Sequence, residues 1–425
     1  MSWKARIYSL PMHTKSLFKY LINSAVLFFS FACLQNNVYA SDYNELIKLV
    51  GENDSILVGD MQGNILFSKN KEKRLVPASI LKIFTSLAAL HYLGTDFRFS
   101  TEFYKDKNLN LKIKGYGDPL LLSENLAEIS RRLAKKIDKS EIDKSGSIVL
   151  NNIIIDDSYF KYPVIIPGVL KSSEPYDAGN GALCVNFNTV NFKKNINGEY
   201  ISAEPETPLI PFAAAKIKSF GIDNGRITFS HDQNDSGLYA GHLLRYFLKL
   251  EQIKLYGKVK HGLTDKNKDK ILLKYTSNFS LEEIIVRLLE FSNNFISNQL
   301  LIATGAKLYG HPGTLEKGVL AVSSYARDIL KLKNFTIVEG SGISRKNSIS
   351  AIFMYKTLCE FKPFRSLMRH DAKEHYKTGT LYGINTRAGY IENSKGDLYC
   401  FVVMVNTRGK SVKNIMEEIC KIIER

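Results

Sequence analysis

Ser79 and Lys82 stand three residues apart at the start of an apolar, helix-like run, so one helical turn carries a hydroxyl and an amine to the same face. That places a nucleophile beside a base. Ser292-Asn293-Asn294 interrupts two apolar helical segments, where such a polar trio either caps a helix or offers a hydroxyl and an amide to a site. Lys377-Thr378-Gly379-Thr380 precedes a strand pair, and a glycine there lets another molecule's backbone approach a sheet edge closely. Spacing alone does not single out Ser79, because S-x-x-K recurs at Ser16/Lys19, Ser68/Lys71 and Ser158/Lys161. What separates it is its place at the mouth of an apolar helix.

The surrounding pattern predicts the elements that hold these groups. Ser55 to Asp60 and Ile65 to Ser68 flank the turn residues Gln62-Gly63-Asn64, which is a hairpin signal. Pro77 suits a first helical turn, and Ile80, Ile83, Phe84, Leu87 and Leu90 recur at helical spacing through about Leu93. Residues 96–270 change texture to short strand-like pieces, such as Leu111–Gly115, Ile153–Ile155 and Ile227–Ser230, interrupted by one helical segment, Leu126 to Ile137. Helical periodicity returns at Leu281 to Leu289, Phe295 to Leu308 and Ser350 to Glu360. Strands at Arg387–Ile391 and Leu398–Val405 and a helix from about Val412 end the chain. The predicted division is therefore a leader over 1–40, a first domain whose parts are 41–95 and 271–425, and a β-rich unit of 96–270 inserted between them.

The leader is predicted from Lys4, Arg6, Lys15 and Lys19, which precede the apolar run Leu27 to Ala32 and the small-residue site Val38-Tyr39-Ala40, with cleavage after Ala40. Its loss removes four cations and no acid, lowering the net charge from +16 to +12. A basic exported chain suits anionic partners such as a membrane surface or a wall polymer, and fits peripheral association with either, while export makes nucleic acid the least suited. With 44% hydrophobic residues over 425, and no later apolar stretch long enough to span a bilayer, the chain reads as globular rather than disordered or polytopic. Cys184, Cys359, Cys400 and Cys420 show no C-x-x-C spacing; they fit either up to two disulfides or buried free thiols.

In the order S-x-x-K, S-x-N, K-T-G, the three groupings resemble the motif set of penicillin-binding proteins and class A β-lactamases. The 210 positions from Lys82 to Ser292 are too many for a compact β-lactamase. They suit the low-molecular-mass class C penicillin-binding proteins, which are D-alanyl-D-alanine carboxypeptidases and endopeptidases of peptidoglycan. Gly115–Pro119, Asp156–Phe160, Gly181–Asn188 and Glu339–Arg345 resemble the same family, so the likeness spans almost the whole mature chain. It implies an α/β (α+β) serine transpeptidase/β-lactamase-like fold, with a five-stranded antiparallel sheet flanked by helices and a β-rich insertion. It also implies a periplasmic enzyme without metal or organic cofactor, whose partners are peptidoglycan stem peptides and β-lactam antibiotics.

The resemblance further implies roles. Ser79 attacks the carbonyl between the terminal D-alanines and Lys82, held neutral, is its base; Lys377 is the nearby cation and grips the terminal carboxylate with Thr378 or Thr380. Ser292 relays a proton to the leaving amine, Asn294 orients Lys82 and the substrate amide, and the N–H groups of Ser79 and Thr380 form the oxyanion hole beside Gly379. Asp156 or Asp157 together with Arg345 match positions that grip a diaminopimelate side chain in relatives. Three features depart from the family: only 32 positions separate Arg345 from Lys377, Tyr382 replaces a smaller residue, and Glu339 replaces an Asp. The shortened segment motivates a rival reading, a non-catalytic wall-binding scaffold of the same fold. A β-lactamase would need a second-step base that the sequence does not identify.

Overall fold

The computed structural model describes residues 45–137 and 148–424, so the leader lies outside the described residues. The described residues divide into two compact units, one of Glu52–Val412 and one joining residues 45–51 to those from Lys413. The smaller unit contains a short helix at 45–49 and the C-terminal helix Lys413–Ile423, which buries Ile415, Met416, Ile419 and Ile423 along one stripe.

Within the larger unit, a six-stranded antiparallel sheet has the order β13-β14-β15-β16-β1-β2. Its strands are β1 (Asp54–Asp60), β2 (Ile65–Lys69), β13 (Arg369–Asp371), β14 (Glu374–Leu381), β15 (Ile384–Glu392) and β16 (Leu398–Val405). Five strands were expected; the sixth is β13, three exposed residues that fold back on β14 and carry no hydrophobic signal. β1 pairs with β16 along its full length, and Cys400–Val405 are all buried, which accounts for the unbroken apolar run there.

Helices α1 (Leu81–Leu93), α5 (Leu281–Phe291), α6 (Asn294–Tyr309), α7 (Leu315–Ser324) and α8 (Ala351–Phe361) build the main core with this sheet. α8 lies on β1 and β16 and is fixed there by Tyr355 Oη donating to the Asp60 carbonyl at 2.7 Å, while Tyr390 Oη donates to the Leu358 carbonyl at 2.6 Å. α1 packs between α8 and α6, with Phe84 wholly buried against Phe353 at 4.9 Å. Burying a side chain of that size contributes about 1.5–3 kcal/mol.

Between α1 and α5 the chain builds a second hydrophobic core, from Phe103 to Tyr275. A five-stranded sheet, β11-β6-β4-β3-β12, combines β3 (Ser100–Lys105), β4 (Leu111–Gly115), β6 (Ile153–Asp156), β11 (Val259–His261) and β12 (Lys270–Thr276). A three-stranded sheet of β7 (Thr189–Lys194), β8 (Tyr200–Ser202) and β9 (Asn224–Thr228) and a parallel pair, β5 (Ile148–Leu150) with β10 (Ile253–Leu255), complete its strands. The expectation of one helix here is corrected. Besides α2 (Ser123–Lys136) there are α3 (Pro211–Lys218) and the 18-residue α4 (Gln233–Leu250). Gly237 and Gly241 hide α4 in the sequence by reading as breakers. In fact they let the helix lie close on the sheet, since a Cβ at Gly237 would fall 2.7 Å from Ile155 and one at Gly241 2.5 Å from Val259.

Cys184, Cys359 and Cys400 are not joined in disulfides. Among the described residues no helix is long and apolar enough to cross a membrane.

Candidate active site

Ser79 lies in a 3-10 turn, Ala78–Ile80, that runs directly into α1, so the hydroxyl sits at a fixed helix entrance. Ala78 before it adopts φ of 50°, a left-handed conformation that costs a non-glycine residue about 1–3 kcal/mol. Two contacts enforce it. Thr386 Oγ1 donates to the Pro77 carbonyl at 2.8 Å, and Gly342, itself at φ 83°, approaches so closely that a Cβ there would overlap the Ala78 carbonyl.

Lys82, one turn further on, has 0% exposure. Its Nζ lies 2.9 Å from Ser79 Oγ, 2.8 Å from Asn294 Oδ1 and 2.7 Å from the Ser341 carbonyl. Burial, and then the charge of Lys377, hold its pKa well below the ordinary lysine value, with Glu339 opposing them. Two of the three partners can only accept, whereas a hydroxyl can also donate. A neutral amine satisfies all three by giving two N–H bonds to the carbonyl oxygens and taking the Ser79 hydroxyl hydrogen on its lone pair.

Asn294 reaches Lys82 because the polar trio divides its tasks. Ser292 ends α5 in a left-handed conformation, Asn293 caps α6 by accepting from Ile296 N–H at 3.0 Å, and Asn294 is thereby turned inward. Its amide nitrogen donates to the Tyr176 carbonyl at 3.2 Å, linking α6 to a loop of the insertion. The Ser292 hydroxyl has no hydrogen-bond partner among the described residues.

The Ser341 carbonyl belongs to a loop organised by Glu339, a wholly buried carboxylate. It accepts six hydrogen bonds, from the Asn298 and Asn347 side chains, from Ser341 N and Oγ, and from Gly342 N and Ser344 N. Asn298 in turn accepts from Gly340 N–H at 2.8 Å, and Thr85 and Ser297 donate to the Gly340 carbonyl. Thr386, Asn298, Thr85 and Ser297 were not singled out from the sequence.

β14 brings the third motif alongside. Along it Lys377 and Gly379 are buried while Thr378 and Thr380 are exposed, as strand alternation requires. A Cβ on Gly379 would fall 2.7 Å from Ser79 N, so the strand passes directly beside the nucleophile. β13 pairs only as far as Tyr376, leaving Lys377–Leu381 without a strand neighbour on the side away from β15, among the described residues. Lys377 is 4% exposed and donates to the Thr378 carbonyl at 2.8 Å; burial and the Arg369 guanidinium lower its pKa to about 8.

The remaining candidates lie in two places. Arg345 donates to the Tyr382 carbonyl in the β14–β15 turn, and the Tyr382 ring lies under the Arg408 guanidinium at 4.9 Å. Asp156 is buried and engaged by Lys114 Nζ at 2.9 Å, Ser158 Oγ at 2.6 Å and Thr264 N at 2.8 Å. Burial works against its charge, but these bonds together hold its carboxyl below the ordinary range. Asp157 instead lines a small recess with Asn180, Gly181 and Ser236, 3.5 Å from His261 Nδ1, and burial pushes its carboxyl upward. The structure thus gathers Ser79, Lys82, Asn294, Lys377 and Gly379 into one cluster, with Arg345 on the adjoining turn and the two aspartates on the insertion.

The sequence model of the D-Ala-D-Ala carboxypeptidase 3 (S13) family matches residues 44–218, 219–370 and 365–425. The chain belongs to that family. Among curated members and relatives, a D-alanyl-D-alanine carboxypeptidase of Actinomadura sp. (strain R39) is 25% identical over 422 residues, covering 82% of this chain and 76% of its own. D-alanyl-D-alanine carboxypeptidase DacB of Haemophilus influenzae is 23% identical, covering 87% and 88%. The fold of this S13 chain is similar to the crystal structure of penicillin binding protein 4 (dacB) from H. influenzae, with a TM-score of 0.68 at 18% identity over 87% of this chain and 94% of that one. The same H. influenzae protein complexed with a β-lactam gives a TM-score of 0.65 at 19% identity over 90% of this chain and 98% of that one.

Proposed function

We propose that this S13 protein is a serine D-alanyl-D-alanine carboxypeptidase and endopeptidase of peptidoglycan stem peptides, working through an acyl-enzyme on Ser79. The observation that carries the reading is Lys82, an amine without exposure whose Nζ lies 2.9 Å from Ser79 Oγ while Asn294 Oδ1 and the Ser341 carbonyl accept from it.

The substrate's extended C-terminus lies along the unpaired side of β14, its carboxylate held by Thr378 and by the charge of Lys377 beneath. Lys82 Nζ takes the Ser79 proton as Oγ bonds to the carbonyl carbon between the two D-alanines. The oxygen's negative charge is received by the N–H groups of Ser79 and Thr380. When the C–N bond breaks, the Lys82 proton passes to the leaving nitrogen, with Ser292 as relay, and D-alanine departs. Water then attacks the acyl-Ser79 ester with Lys82 again as base. A β-lactam acylates Ser79 by the same first step and leaves slowly.

The same proposal assigns Arg345 and, of the two aspartates, Asp157 to the substrate's side-chain end, because Asp156 is already fully bonded within the fold. It includes export behind the leader 1–40, and a peptidase core of 41–95 and 271–425 interrupted by an insertion. The intact cluster speaks against a non-catalytic scaffold. A β-lactamase would show many turnovers of a chromogenic cephalosporin, and a single acylation event is predicted instead.

The direct test is D-alanine release from a synthetic stem peptide ending in D-Ala-D-Ala. Release by the wild type, lost in Ser79→Ala and in Lys82→Met, supports the reading. No release by a folded wild type contradicts it.

A further inference from the structure

The insertion carries a groove of about 900 Å³ that shares no lining residue with the Ser79 site. One wall is a face of α4. His242, Arg245, Tyr246 and Lys249 recur at the i, i+3, i+4, i+7 spacing that places side chains on one stripe of a helix. In a globular helix this spacing ordinarily marks the buried apolar stripe. Here it bears an imidazole, two cations and a phenol, with Tyr246 40% exposed. The opposite wall comes from β10 and its exit, where Lys254 and Tyr256 are exposed, the latter by 66%.

The groove is built rather than incidental. Arg245 donates to the Leu255 and Gly257 carbonyls at 2.9 Å each, pinning the segment that presents Tyr256 to α4. His242 stacks on Phe212 with ring centroids 4.6 Å apart and planes 21° from parallel, which fixes the floor. Its charged lining residues are Arg245, Lys249 and Lys254, with no carboxylate among them; Glu124, Glu204, Glu206 and Arg131 line a neighbouring depression that shares Tyr246 with it. Exposed aromatic faces rimmed by cations of one sign mark a binding surface for a ligand with apolar faces and negative charge.

We infer that this groove holds the uncleaved polymer itself: a glycan strand whose sugar rings lie on Tyr246 and Tyr256 and whose stem-peptide carboxylates meet Lys249 and Lys254. This rests on the proposed function, since it takes peptidoglycan as the substrate, and adds to it a second point of attachment. The occupant is chosen by charge complementarity. Peptidoglycan strands combine repeated sugar faces with repeated free carboxylates, the two features the groove's two kinds of side chain recognise.

The test compares co-sedimentation with purified peptidoglycan sacculi of the Ser79→Ala protein, which cannot digest them, and of the same protein carrying Lys249→Glu and Tyr256→Ala. The expected result is a loss of sacculus binding of about tenfold or more, restored in part when Lys249→Arg replaces Lys249→Glu. With Ser79 intact, the groove variant is expected to keep full penicillin labelling and full D-alanine release from a short soluble peptide, which shows that it folds. Unchanged sacculus binding overturns the inference. So does an equal loss of binding to phosphatidylglycerol vesicles, which would make the groove a lipid-docking surface. Failure of penicillin labelling in the protein without groove substitutions contradicts the enzymatic reading instead, and is seen separately.

Discussion

In the proposed mechanism Lys82 is the residue on which the chemistry turns, and its environment then sets a pH dependence with two limbs. Burial and Lys377 lower its pKa, so Lys82 is neutral and able to act as base above that lowered value, and acylation falls as the pH drops through it. Lys377 must stay charged to hold a carboxylate, and with a pKa of about 8 it loses that charge as the pH rises through 8. The predicted profile of kcat/KM for D-alanine release is therefore a bell whose alkaline limb lies near 8; a rate still climbing above pH 9 contradicts the assignment of Lys377. Removing the base altogether, in Lys82→Met, is predicted to cost at least about 10²–10⁴-fold in acylation rate. Glu339 acts through other groups. In Glu339→Gln an amide N–H₂ replaces an oxygen that now accepts from N–H and O–H donors, so donor faces donor in a buried site. Such a mismatch costs about 1–3 kcal/mol and is predicted to lower both the melting temperature and kcat. At this scale Ser79, Lys82, Asn294 and Lys377 were legible, because their types and order carry chemistry. Glu339 is legible only as a departure from the family's pattern, and Thr386 not at all. Each owes its place to partners across the fold, in Thr386's case the carbonyl of Pro77, which no local spacing reveals.

Between α1, the 339–347 loop and β14, the backbone approaches at Gly342 and Gly379 leave no room for a side chain. A methyl group on Gly379 would fall 2.4 Å from Thr386 Oγ1 and 2.7 Å from Ser79 N, the donor proposed for the oxyanion. Gly379→Ala is therefore predicted to reduce acylation by about 10²-fold or more while leaving a cooperatively folded protein, measured by penicillin labelling kinetics beside thermal melting. An unchanged labelling rate would mean that β14 does not set the position of Ser79. Elements formed by local signals were legible: the β1–β2 hairpin, α1 after Pro77, and the continuous run of β16. α4 was hidden because Gly237 and Gly241 answer to neighbours on β6 and β11 rather than to helix propensity. β13 was hidden because three exposed polar residues have no periodicity to read. The strands β7 and β8 likewise depend on pairing across Asn195–Gly198 more than on their own composition.

Over the whole molecule, the larger unit combines two hydrophobic cores, one under the six-stranded sheet and one within the insertion, so a site built by the first can carry a surface built by the second. The loop around Tyr176 joins them at Asn294. The change of texture after about residue 96 is legible in the sequence, but the balance of helix to strand there depends on tertiary contacts. The basic net charge pointed to anionic partners without saying where they would bind. The proposed export makes one further prediction: protein recovered from a cell's exterior compartment begins at Ser41, and an intact mass retaining the first forty residues contradicts cleavage after Ala40.

The central claim, an acyl-enzyme on Ser79 formed with Lys82 as base, is tested most directly by the intact mass of the purified mature protein after reaction with a fluorescent penicillin. The prediction is one covalent adduct per chain, absent in Ser79→Ala and in Lys82→Met. A folded wild type that stays unlabelled, or a Ser79→Ala protein that labels as fast as the wild type, contradicts it.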